Sequence, residues 1–161
     1  MIAFNSAVKK SLEDLRSMFS SSVTVNNSNV KIQGKDFGID IFQPERYENH
    51  FTYYIFFDDE VGFFMKDFAF SVGGKEALES WLYARDKYSP ERYMQKYFES
   101  CLSWIVEFFN SHQKKIFCDI KSWYMIALEI SYEEYKDVLP VRARKEYEHG
   151  LALYKQKFEN A

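Results

Sequence analysis

The sequence predicts an α+β fold: an N-terminal helix, an antiparallel sheet of four to five strands, and a C-terminal helical half packed on that sheet. Three observations carry the prediction. Short apolar segments with strand chemistry cluster between residues 23 and 72. Apolar residues recur at three- and four-residue intervals from about residue 75 onward. Glycine and proline are scarce, six and three in 161 residues, which disfavours a loop-rich chain. The length suits a single domain, 1–161, with helix over 1–22, sheet over 23–72 and helices over 75–160.

The elements follow in order. Asn5 or Ser6 can cap a first helix whose apolar stripe is Val8, Leu12, Leu15 and Phe19; the serine run 20–22 ends it. VTV (23–25) and VKI (30–32) alternate as strands around the turn chemistry of NNSN, and FGIDIF (37–42) is a third. QPERYENH (43–50) reads as a loop that Pro44 begins. FTYYIFF (51–57) and FFMKDFAFSV (63–72) read as an aromatic hairpin around DDEVG, with Gly62 able to take a positive φ at the turn. Gly73-Gly74 marks the change from strands to helices.

In KEALESWLYARDKY, Leu78, Trp81 and Leu82 share a helix face. Ser89-Pro90-Glu91 has the order of a helix start: a capping hydroxyl, a proline at the first helical position and an acid beside the positive end. The helix after it should be the most buried, because Met94, Tyr97, Phe98, Cys101, Leu102, Ile105, Phe108 and Phe109 make one wide stripe. SHQKK (111–115) reads as a break. For 116–130 two readings fit: a helix from about Asp119 carrying Ile120, Trp123, Ala127 and Ile130, or an edge strand at IFCDI. Ser131 and Glu134 have capping-box spacing, and Pro140 opens a last helix.

Composition bounds the function classes. Apolar residues make up 47% of the chain and aromatics 19%, enough for a dense ring-rich core. The two cysteines, Cys101 and Cys118, do not make a disulfide framework. No apolar run approaches the ~18 residues of a membrane span, and the first residues lack the order of a signal peptide. These features predict a cytoplasmic protein without a membrane partner. The net charge is −3, and residues 23–74 hold eight carboxylates against four cations. That segment favours a basic partner and disfavours nucleic acid. RARK (142–145) is basic, but Glu146 and Glu148 dilute its field.

No linear motif announces a reaction. His50, His112 and His149 lack metal-ligand spacing to one another or to a cysteine. Gly73-Gly74-Lys75 lacks the rest of a phosphate loop, and no serine-hydrolase elbow or zincin motif is present. Cys101 lies among Phe98, Leu102 and Ile105, whereas a nucleophilic thiol needs an accessible electropositive site. No catalytic residue, cofactor or metal is therefore predicted.

Attention falls on the hairpin. In FTYYIFF, Phe51, Tyr53, Ile55 and Phe57 lie on one face, Tyr54 and Phe56 on the other. As a strand, FFMKDFAF puts Phe64, Phe68 and Phe70 around Lys66 on one face, with Phe63, Met65 and Ala69 around Asp67 on the other. Helices can cover both faces of the sheet, or one face can remain an aromatic surface with Tyr54, rimmed by Asp36, Asp40, Glu45, Glu48, Asp58, Asp59 and Glu60. Aromatic anchors inside a charged rim are the chemistry of protein recognition.

A small acidic α+β chain with aromatic strands, an acidic patch and no catalytic motif resembles the immunity proteins of bacterial polymorphic toxin and contact-dependent growth inhibition systems. DFGIDIF, YYIFFDDE and the long helix after SPERY carry the resemblance. It is one of architecture across the chain and transfers no functional residue. It implies tight binding of a cognate toxin domain, possible partners including basic nucleases whose encounter acidic residues would speed, in a monomer or a dimer. A small acidic secretion chaperone or adaptor is the alternative of another class, and an enzyme whose residues converge only in three dimensions is a third.

Overall fold

The computed structural model describes residues 4–25, 29–35, 37–42, 51–57 and 62–118, and beyond them 120, 122, 123, 126, 127, 129, 133, 137 and 148. Helix α1 (Ser6–Met18) precedes five strands: β1 (Ser22–Val25), β2 (Asn29–Gln33), β3 (Gly38–Phe42), β4 (Thr52–Phe56) and β5 (Gly62–Phe64). Helices α2 (Met65–Asp86) and α3 (Met94–Phe117) follow. The strands form one antiparallel meander in sequence order. The expected α+β architecture is the observed one.

Period-two alternation gives the sheet two unlike faces. On the inner face, Val23, Ile32, Ile39, Ile55 and Phe63 stand in one cross-strand row, and Val25, Val30, Ile41 and Tyr53 in the next. These side chains join one core with Val8, Leu12 and Leu15 of α1, Phe68 and Trp81 of α2, and Phe98, Ile105 and Phe109 of α3. Each fully buried apolar side chain contributes roughly 1.5–3 kcal/mol relative to exposure. The helix α3 packs against both α1 and α2, with α1 also touching β1 and α2 touching β4 and β5. The first helix thus joins the other two over the inner face, and does not cover the outer one.

Aromatic contacts tie the layers. The Phe37 ring meets Phe19, Phe57, Phe68, Phe109 and Phe117 at centroid separations from 5.2 to 6.2 Å. Asn5 anchors the start of α1. Its side-chain oxygen accepts from Val8 N at 2.9 Å, its backbone N–H donates to Gln95 Oε1 at 2.8 Å, and its amide nitrogen donates to Glu99. One residue so caps α1 and fastens it to the first turns of α3.

Several expectations are corrected. The first helix ends at Met18, short of 22; Ser20 takes φ 47 and leads into β1. The strand read over 63–72 stops at Phe64, and Met65 opens α2. Met65, Phe68, Ala69 and Val72 are buried at helical intervals, while Phe70, expected beside Phe68, is 54% exposed. Gly62 is not at a positive φ. It sits in β5 where an added Cβ would lie 1.9 Å from Ile55 O, so close backbone approach is its reason. Gly73-Gly74 does not separate sheet from helices. Gly74, at φ 75 and ψ −163, kinks α2 from within, and Lys115 Nζ donates to Val72 O at 2.7 Å beside the kink.

Ser89-Pro90-Glu91 forms a turn closed by Tyr93 N donating to Ser89 O at 2.8 Å, and α3 begins later, at Met94, without a side-chain cap. The residues 111–115 do not break the helix. Only His112 leaves helical geometry, at φ −117, and α3 runs on through IF to Phe117. Beyond it, the described residues from 120 to 129 are helical, with Trp123 and Ala127 buried, in favour of the helical reading over an edge strand. On the face of α2 named from sequence, Trp81 is buried, but its buried companion is Ala84, with Leu78 and Leu82 only half-buried. The loop 43–50, the turn 58–61, Ile130, the capping box 131–134, Pro140, RARK (142–145), His50 and His149 lie outside the described residues.

Two outcomes check this packing. Phe98→Ala or Ile105→Ala, both at fully buried sites, should each cost about 2–5 kcal/mol in denaturant titrations; a loss below about 1 kcal/mol would place these side chains elsewhere. Gly74→Ala adds a Cβ with no atom within 4 Å, so its cost isolates backbone strain and should be about 1–3 kcal/mol. An unchanged stability would mean that α2 passes residue 74 without the kink.

Candidate functional site

The outer face of the sheet carries the described members of the predicted surface. Thr24, Lys31, Asp40, Tyr54 and Phe64 form one cross-strand row. Asp40 and Tyr54 are direct neighbours, as are Tyr54 and Phe64, whose rings meet edge to face at 5.8 Å. Asn29 Nδ2 donates to Asp40 Oδ1 at 3.1 Å and orients the carboxylate. Among the described residues no helix contributes side chains to this row, and Phe56 is the one buried side chain larger than glycine in the described strands that stands outside the common core. Its ring folds over Gly38, directly opposite, where an added Cβ would sit 2.2 Å from Phe56 Cζ. Lys31 Nζ lies 5.1 Å above the same ring. A glycine opposite an aromatic ring is a device for covering bare backbone, and it gives the face an apolar centre flanked by one cation and one anion.

Asp36, Glu45, Glu48, Asp58, Asp59 and Glu60, the rest of the predicted rim, lie outside the described residues. The structure brings together Asp40 and Tyr54. It keeps Phe56 on the Tyr54 face, as the alternation of FTYYIFF predicts, and adds Lys31 and Phe64, which the sequence reading did not place beside them. The missing signal was register: once VKI, GIDIF and TYYIF are paired antiparallel, these side chains fall in adjacent rows.

A second feature is a cleft of about 800 Å³ at the sheet edge. Its origin is the shortness of β5, which pairs only with residues 54–56 before the chain turns into α2. Thr52 and Tyr53 of β4 therefore face space bounded by Lys66, Trp81, Arg85 and Tyr88. Arg85 is held by Asp86, Nε to Oδ1 at 2.9 Å and Nη2 to Oδ2 at 3.3 Å.

Behind the cleft three polar groups are buried together: the Tyr53 and Tyr97 phenols and the Cys101 thiol. Among the described residues neither phenol oxygen has a hydrogen-bond partner, and the thiol makes a long contact, 3.9 Å, to Ala84 O. Burial, and then the neighbouring thiol, push both phenols above their ordinary range. Burial likewise pushes the Cys101 thiol up to about 12. A thiol so held stays protonated at neutral pH and is a poor nucleophile. The His112 ring lies tilted against Phe108, centroids 4.9 Å apart, and among the described residues no three His, Cys, Asp or Glu side chains could share a metal ion. No described helix is long and apolar enough to cross a membrane.

The buried thiol makes stability depend on pH with a definite sign. Above about pH 9, the ordinary value for a thiol, the unfolded chain gives up a proton that the folded chain keeps. Stability then falls as pH rises, by about 1.4 kcal/mol per pH unit for one group, and the phenols add to the loss above about pH 10. Urea titrations between pH 8 and 10 should show this slope, and Cys101→Ala should flatten it. Equal slopes in the two proteins would exclude the thiol as the cause.

Compared with protein-family models, with curated proteins and with solved structures, the chain matches none.

Proposed function

We propose that this protein is a non-enzymatic immunity protein that binds and neutralises a cognate bacterial toxin domain in the cytoplasm, using the outer face of its sheet. The observation that carries the reading is the Asp40–Tyr54–Phe64 row, flanked by Phe56 and Lys31, on a face to which no described helix is applied. Aromatic side chains seated on a sheet lose little entropy on binding, and they supply the anchors that dominate protein interfaces. The acidic balance of residues 23–74 favours a basic partner, a nuclease domain being one such class. The buried and protonated Cys101, and the absence of a linear catalytic motif, support binding over chemistry.

The test is co-expression with the product of the neighbouring gene. The wild-type chain should co-purify with it and protect cells from it. Tyr54→Ser should weaken binding about 30-fold, the effect of losing one anchor of about 2 kcal/mol, with little change in melting temperature. Replacing Asp58, Asp59 and Glu60 together by Ser should slow association at low salt and leave it unaltered at high salt. If both variants bind and protect like the parent, recognition lies elsewhere on the molecule.

A further inference from the structure

The connection between α2 and α3 carries a surface of different chemistry. Lys87, Arg92 and Lys96 make no ion pair among the described residues. Each instead lies over tyrosine rings. Lys87 Nζ is 5.9 Å from the Tyr83 centroid and 5.5 Å from that of Tyr88. Arg92 Cζ is 5.4 Å from Tyr93, and Lys96 Nζ is 5.8 Å from both Tyr88 and Tyr93. Two of the rings are unusually open for tyrosine: Tyr83 is 70% exposed and Tyr93 44%. Between residues 83 and 97 the carboxylates are Asp86, already held by Arg85, and Glu91.

We propose that this surface docks an acidic segment of a protein partner, with one bulky apolar side chain of that segment entering the adjoining cleft. Charge complementarity selects the segment. Within residues 83–97 four cations, counting Arg85, stand against two carboxylates, on a chain whose net charge is −3. Rings beneath the ammonium and guanidinium groups hold them in place by cation–π attraction. Part of the ordering cost of binding a carboxylate is therefore already met, and tyrosine hydroxyls can donate to the same anion.

The cleft supplies the second half of the recognition. Tyr88, Ser89 and Pro90 belong both to the patch and to the cleft wall, so the two are continuous. Phe51, Phe64 and Trp81 give the cleft apolar surface at a volume, about 800 Å³, that admits a large side chain. A short acidic segment fits better than nucleic acid. A polyanion with one charge per about 1.7 Å of helix axis would extend past so small a patch into the field of a net-negative protein. The cleft shares Phe64 with the outer sheet face, whereas the cations and tyrosines of the α2–α3 connection do not belong to that face, so variants of Lys87, Arg92 and Lys96 test this inference apart from the function proposed above.

The experiment is a titration of the full chain, followed by amide chemical shifts, with an acidic peptide of Asp and Glu around a central Phe. Controls are the same peptide with Lys in place of the acids, the acidic peptide with Ala in place of Phe, and a single-stranded oligonucleotide. The acidic peptide should bind saturably, with shifts confined to residues 83–97 and the cleft residues Thr52 and Lys66. The Lys87→Glu, Arg92→Glu, Lys96→Glu variant should weaken it at least tenfold without lowering the melting temperature. Lys87→Ser with Lys96→Ser should do so in part, and serves should the triple variant not fold. Losing the Phe should also weaken binding. No saturable binding, equal binding by the variants or by the Lys peptide, or tighter binding of the oligonucleotide overturns the proposal.

Discussion

The register of the five-stranded sheet is the constraint on which the rest of the molecule depends. Its two inner rows, Val23 to Phe63 and Val25 to Tyr53, supply the apolar floor under all three described helices. A slip of one residue in any strand would carry its branched side chains to the outer face and bring Lys31, Asp40 or Tyr54 inward. Burying a lone Lys or Asp costs several kcal/mol, so the alternatives are strongly disfavoured. The same alternation that builds the core collects polar and aromatic residues on the opposite face. Core and candidate recognition surface are two consequences of one pairing pattern.

Much of this was legible in the chain, and the failures have physical causes. The stripe of α3 is long, so many positions vote for one period, and Tyr97, Phe98, Cys101, Leu102, Ile105, Phe108 and Phe109 are buried where periodicity put them. Met94, read as part of the same stripe, is exposed at the first position of the helix. The two faces of FTYYIFF were also readable, since Tyr53 and Ile55 point inward and Tyr54 outward. FFMKDFAFSV misled because its apolar residues satisfy both periods. As a strand it pairs Phe68 with Phe70; as a helix it pairs Phe68 with Met65 and Val72. Tertiary packing chose the second, burying Phe68 and leaving Phe70 in solvent. At Ser89-Pro90-Glu91 the local chemistry fits a turn as well as a helix start, and the turn won. The cleft was not legible at all, because residues from 51 to 90 meet there only after the chain reverses at Phe64.

The two surfaces differ in sign and in construction. The outer sheet face is a shallow array with its chemistry set by strand pairing, and its sequence neighbourhood is acidic. The α2–α3 connection is a basic patch whose cations rest on tyrosine rings, beside a cleft that the short β5 leaves open. In the core, the Tyr53 and Tyr97 hydroxyls are buried without a hydrogen-bond partner among the described residues, beside the Cys101 thiol.

The Gly74 kink has an implication for how substitutions in this chain combine. Lys115 reaches across from α3 to donate to Val72 O, and its own carbonyl accepts from Trp123 Nε1 at 3.3 Å. A bend in one helix is therefore answered by a side chain of another, which is itself tied to the segment that follows. Replacing Gly74 by a residue that straightens α2 would leave the ammonium facing a carbonyl already engaged along the helix, while replacing Lys115 would leave the bend unanswered. Residues 74 and 115 are thus coupled through one carbonyl, and substitutions at the two positions should not be additive in their effect on stability.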